Sequence, residues 1–199
     1  MQKNKAPARA AEARFPATRR ALGDDDFARL CADSKTRSLP DTLRKDPAWA
    51  SMMRKMPWLA DVAAMEQMAH AAIADAPLPA LDPAGLEEAA REPMELMLHL
   101  QPHVKLLRSE WDIPAIWQSL ANGNLPQNLR AKDSFTVIYN NGGNAAVWSV
   151  NEAAYILLEN LQSSPNFALA AAPALRADNT FALDRFLAML VQQQLLAKK

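Results

Sequence analysis

Residues 135–150, FTVIYNNGGNAAVWSV, read as a β-hairpin without help from the rest of the chain. Both arms are rich in β-branched and aromatic residues: Thr136, Val137, Ile138 and Tyr139 on one side, Val147, Trp148 and Val150 on the other. Between them Asn141-Gly142-Gly143-Asn144 supplies residues that accept positive φ, as tight hairpin turns require. A lone two-stranded ribbon is marginal in water, so these arms must find further strands in the chain or offer an edge to another one.

Upstream of the hairpin two segments offer themselves as companions. Leu96, Leu98 and Leu100 alternate along one face of a strand over 96–100, and Val104 to Arg108 reads as a second after Gln101-Pro102. His99 and His103 are four apart, but Pro102 lies between them and argues against a helix that would set them on one face. Both read as structural. Trp111 to Leu120 predicts a short helix entered at Asp112-Ile113-Pro114, ended by Asn122-Gly123-Asn124. Downstream, Ser149 to Glu152 has capping-box spacing ahead of a helix with Tyr155, Ile156, Leu158 and Leu161 on its buried side. A short apolar helix over 167–172 and a last one over 180–196 complete this part.

The N-terminal half reads as helical. Residues 1–20 are basic and broken by Pro7 and Pro16, the pattern of a solvated tail. Helical spacing begins after Asp24, with Phe27, Leu30 and Cys31 on one side; Cys31 reads as a small core residue. Prolines at 40 and 47 divide short helical pieces. Pro57 then suits the first turn of a longer helix whose Leu59, Val62, Met65, Met68 and Ile73 recur at three- and four-residue steps. Glu66 and His70 lie four apart there and are placed to pair. Residues 76–93 form a proline-rich connector with one helical turn over 84–90. The expected fold class is α+β: a tail over 1–20, a helical region over 21–93, and over 94–199 a small antiparallel sheet with three helices, resembling a winged helix.

Composition limits the function. Lys+Arg and Asp+Glu are 22 each, so net charge is zero and nothing steers the chain toward nucleic acid or an anionic membrane. One cysteine excludes an intrachain disulfide framework, no apolar run is long enough to span a bilayer, and residues 1–20 lack the apolar core of a signal peptide, which points to the cytoplasm. No nucleophile elbow, phosphate loop or carboxylate–histidine cluster is present, so no catalytic residue and no metal ligand is assigned. Two classes of function remain. A DNA-binding winged-helix regulator has the right element order, yet residues 167–172 hold no Lys, Arg, Asn or Gln to reach bases. A peptide-binding module instead adds a guest strand to its own sheet edge. For that reading the site is one arm of the hairpin, either Thr136, Val137, Ile138, Tyr139 and Asn140 or Ala146, Val147, Trp148 and Ser149.

Three stretches carry a family resemblance: PWLADVAAMEQM (57–68), LHLQPHVKLLRSEWDIPAIWQSL (98–120) and FTVIYNNGGNAAVWSVNEAAYILLENL (135–161). They resemble the HvfC-type partner proteins over residues 55 to 196, and within that family the size and the C-terminal third look most like its MbnC-like branch. The resemblance implies a subunit without a cofactor of its own. Its partner would be an iron-containing TIM-barrel enzyme (MbnB-like), and the pair would convert cysteines of a ribosomally made precursor peptide (MbnA-like) into oxazolone and thioamide groups during methanobactin biosynthesis. The chain would hold the leader of that precursor, which is catalysis by positioning. On this reading Arg108, Glu110, Trp111 and Trp117 are candidates for contact with the enzyme, since arginine and aromatics dominate interface cores. Trp111 and Trp117 read equally as filling between the helical and sheet parts.

Overall fold

The computed structural model describes residues 11–89, 91, 95–127 and 129–198. The fold is α+β with small antiparallel sheets, as the patterning predicts. It divides into two compact units, each made of two chain segments: Met1–His70 with Arg108–Ser134, and Ala71–Leu107 with Phe135–Lys199. The division differs from the expected one at 93/94, because the helix within 108–134 completes the helical unit.

The first unit holds helices α1 (Pro16–Leu22), α2 (Asp24–Asp33), α3 (Leu39–Lys45), α4 (Ala50–Lys55), α5 (Leu59–Ala74, which runs just past the unit's first segment) and α7 (Ile113–Ala121), with a 3-10 turn at Pro47–Trp49. Two prolines act otherwise than expected: Pro57 lies in a turn just ahead of α5 and Pro16 opens α1. Pro40 sits in the first turn of α3, where its missing N–H costs nothing, and Ser38 caps that helix by accepting from the Asp41 N–H. Phe27, Leu30, Leu43, Trp49, Leu59, Val62, Met65, Ile113, Ile116 and Leu120 are buried. Trp49 is fixed twice, by its indole N–H donating to Asp33 at 3.1 Å and by the Arg29 guanidinium 5.0 Å over its ring. Burial raises the pKa of the half-buried Cys31 thiol, in keeping with an inert packing role.

Residues 16–20 are not tail. They form α1, with Phe15, Ala17 and Thr18 buried; residues 1–10 lie outside the described ones. The helix has no side chain of its own to cap its first turn. Its cap comes from α5: Glu66 accepts from the Ala17 N–H at 2.6 Å, the Thr18 N–H at 3.0 Å and the Thr18 hydroxyl at 2.7 Å. At the other end Arg20 donates to the carbonyls of Leu120 and Ala121 at the C-terminus of α7.

The second unit contains α6 (Pro83–Ala89), β1 (His99–Leu100), β2 (Lys105–Ser109, which continues into the next segment), β3 (Ser134–Asn141), β4 (Asn144–Val150), α8 (Glu152–Ser163), α9 (Phe167–Ala177), α10 (Leu183–Gln192) and β5 (Leu196–Ala197). The hairpin forms as read, with Phe135 opposite Val150 and both Gly142 and Gly143 at positive φ. The sheet order is β2-β3-β4, so the expected strand over 104–108 joins it. The segment 96–100 does not. Only His99 and Leu100 form a strand, and they pair with Ala197 and Leu196 of β5. Gln101 holds that junction: its amide oxygen accepts from the Leu78 N–H and its amide nitrogen donates to the Leu78 and Leu196 carbonyls.

Several helix boundaries differ from the sequence reading; α10, for one, begins at Leu183 and not at 180. Asn151, not Ser149, caps α8, accepting from the Ala154 N–H at 2.9 Å while Ser149 stays in β4. Helix α9 continues through Pro173 to Ala177; the backbone bond that Pro173 cannot make falls on the carbonyl of Leu169, a residue 68% exposed. Helix α10 stops at Gln192 instead of running to 196. Gln194 adopts a left-handed φ of 56°, its N–H donates to the Val191 carbonyl, and the Leu195 N–H reaches back to Leu190. That is a Schellman ending without glycine, closed by two wholly buried leucines, 190 and 195.

Candidate peptide-docking groove

Strand β3 is the middle strand, bonded on both sides, and Thr136, Val137, Ile138 and Tyr139 on it are buried. The N–H of Asn140 is also engaged, donating to His103 Nδ1 at 3.3 Å. The first arm therefore presents no edge, and the expectation that a guest could pair with Thr136 to Asn140 is corrected by the sheet order. Strand β4 differs. Among the described residues it pairs only with β3, leaving one side of a seven-residue strand unpaired, about 24 Å of edge at ~3.4 Å per residue.

Beside that edge runs a groove of about 460 Å³, walled by the C-terminal half of β4 and by α10 with the residues before it. Alternation along β4 decides its character. Ala146, Trp148 and Val150 turn toward the helices and pack on the core, whereas Val147 and Ser149 occupy the opposite face. Trp148 stacks on Phe186, ring centroids 5.5 Å apart, and Phe181 meets Phe186 at 5.4 Å. Met189 extends the apolar wall and is partly exposed. The polar rim is largely self-satisfied: Asp178 accepts from the Thr180 N–H and hydroxyl, and the hydroxyl's bond holds its carboxyl below the usual carboxylate range. Arg185, exposed on α10, has no ion-pair partner among the described residues.

No family model matches the chain, and no curated protein matches it significantly. What the groove binds is therefore argued from its own chemistry: a strand edge for main-chain pairing, and an aromatic wall for side chains.

The four residues expected at a partner interface all fall in the first unit. Arg108 and Glu110 are exposed; Trp111 and Trp117 are half-buried. Trp117 also has an internal partner, since its side chain hydrogen-bonds to Glu66. Glu66 itself overturns the expected Glu66–His70 pair: it is 4% exposed and bonded to α1, while His70 is exposed. Its burial raises its pKa against the opposing pull of those hydrogen bonds. The sequence carried only a weak signal: Ala63, Ala64 and Met65 before Glu66 and Met68 and Ala69 after it are apolar, but Gln67 and His70 beside it suggested a polar face. Among the described residues no group of three His, Cys, Asp or Glu side chains is placed to hold a metal ion, and no helix is long and apolar enough to cross a membrane.

Proposed function

We propose that the chain is the non-catalytic, peptide-presenting subunit of a cytoplasmic peptide-modifying oxidase. It lays the leader of a ribosomally made, MbnA-like precursor along β4 as an added strand and sets alternate leader side chains against Trp148, Phe181 and Phe186. The precursor's cysteines then reach an iron-dependent, MbnB-like TIM-barrel enzyme that makes the oxazolone and thioamide groups of a methanobactin-type copper chelator. One observation carries this reading: an unpaired strand edge bordering an aromatic groove in the same unit. Tethering the leader makes the later reaction at the core effectively intramolecular.

The test uses the geometry of the edge. In an antiparallel pair one residue sends its N–H and C=O to the partner strand, and its neighbour sends both away. Of Ala146→Pro and Val147→Pro, one breaks the hairpin and lowers the melting temperature. The other leaves the circular dichroism intact and abolishes capture of a fluorescent leader peptide encoded beside this chain. Retained capture in both variants refutes strand addition. Co-expression with the neighbouring gene products tests the partnership, with an iron protein expected to co-purify. A DNA-binding winged helix instead needs cations on α9, whose one basic residue is Arg176 in its last turn. A mobility shift at low salt would favour that alternative.

A further inference from the structure

A second pocket, of about 230 Å³, opens at the turn end of the hairpin and is lined by His103, Asn140, Gln101, Gln193 and Gln194. By volume it would hold roughly seven waters at ~30 Å³ each. Its lining contains no charged side chain, and the hydrogen bonds around it sort donors from acceptors.

His103 is only 4% exposed. The Asn140 N–H donates to its Nδ1, so the neutral ring carries its proton on Nε2. The ring also hydrogen-bonds its own backbone, and the Nε2 N–H has no side-chain partner among the described residues and is the ring donor left to the pocket. Asn140 Oδ1 is occupied by the Gly143 N–H at 2.8 Å, which leaves the Asn140 amide nitrogen free. Gln193 Oε1 is occupied by the Tyr139 hydroxyl at 3.2 Å, which again leaves its amide nitrogen free. Gln101 is bonded at both amide atoms. The side-chain oxygens of Asn140, Gln193 and Gln101 are thus engaged internally, three N–H donors line the pocket, and Asn141 at the turn can rotate either amide atom inward. At the mouth the amide of Gln194 can turn either atom inward. Lys105 and Asp75, the charges that act on His103, neutralise each other in an ion pair at 2.6 Å.

We propose that this pocket binds a small carboxylate, which supplies only acceptors and takes hydrogen bonds from His103 Nε2–H and the amide nitrogens of Asn140 and Gln193. Bonds to an ionised acceptor are roughly twice as strong as neutral ones, which selects the anion over a neutral carbonyl compound of the same shape. The site is separate from the β4 groove and stands whether or not that groove binds a peptide.

Acetate is the probe, read on the full chain by long-range proton–nitrogen correlation spectra of the histidine rings. A saturable shift of the His103 Nε2 signal is expected with acetate and not with acetamide, or with chloride at equal ionic strength. Acetate should also raise the measured His103 pKa, by the reciprocity of linked binding. Gln193→Glu replaces a free donor with an oxygen on an exposed side chain that the fold tolerates, and is expected to weaken acetate at least about tenfold. A linear shift shared with chloride, an equal response to acetamide, or unaltered acetate binding in Gln193→Glu would each overturn the assignment.

Discussion

Replacing Glu66 tests the account of the helical unit most directly. The wild-type carboxylate accepts from the Ala17 N–H, the Thr18 N–H, the Thr18 hydroxyl and the Trp117 side chain while 4% exposed. Glu66→Leu removes every acceptor at once and leaves the first turn of α1 uncapped in an apolar site. Each orphaned buried donor costs ~1–3 kcal/mol, less what the released charge returns, so the net loss is about 3–5 kcal/mol. Glu66→Gln keeps one oxygen but points an amide donor at another donor, and costs about 1–3 kcal/mol. The pH dependence is sharper still. Burial holds the folded pKa of Glu66 above the ordinary glutamate value of 4.5. The wild type's linkage contribution is therefore fully present below about pH 4.5 and is lost as pH rises through the raised folded value. Urea unfolding from pH 4.5 to 8, followed by fluorescence, measures it, because Trp49, Trp58, Trp111 and Trp117 all lie in the first unit. The stability difference between wild type and Glu66→Gln should shrink as pH rises through this window. A difference that grows with pH would mean that the hydrogen bonds outweigh burial, and would refute the reasoning.

Other outcomes follow from the second unit. Asn151→Ala should cost about 1 kcal/mol of thermal stability, whereas Ser149→Ala should be near neutral; equal effects would restore the capping-box reading. Gln194→Gly relieves a side chain at φ 56° and should stabilise by about 1 kcal/mol, a rise of ~2–4 °C in Tm by calorimetry; an unchanged Tm speaks against strain there. Burial lowers the pKa of His103 below 6.5. The stability this gives is full above pH 6.5 and is lost as pH falls through the folded value. His103→Phe should flatten that slope in denaturation curves, and a slope of the same size in the variant would place its source elsewhere.

The hairpin and most helices were legible because their signals are local. The Asn-Gly-Gly-Asn turn, Pro40 and Asp112-Ile113-Pro114 each fix backbone geometry within a few residues. What escaped depends on distant partners. The α1 cap lies in another helix, so the basic composition of 1–20 read as tail. The short strand at His99 is defined by Leu196 and Ala197 at the far end of the unit, which no periodicity over 96–100 reveals. The α10 ending uses Gln194 where a glycine would have announced it. Of the candidate site, the edge itself was legible and its side was not: the turn makes the two arms equivalent until β2 occupies one of them. Phe181 and Phe186 were missed as groove walls because their tie to Trp148 is tertiary.

Each unit is assembled from two separated stretches of chain, and that has a bearing on synthesis. A ribosome must emit residue 134 before the helical unit has all its parts, by which time the strands β1 and β2 are already outside the exit tunnel without β3, β4 or β5. The sheet unit waits for the last residues of all, since among the described residues β1 pairs only with β5. No cut at a single point yields either unit by itself. A fragment meant to isolate the peptide groove needs residues 1–70 removed and also the α7-bearing stretch between β2 and β3 replaced by a short linker.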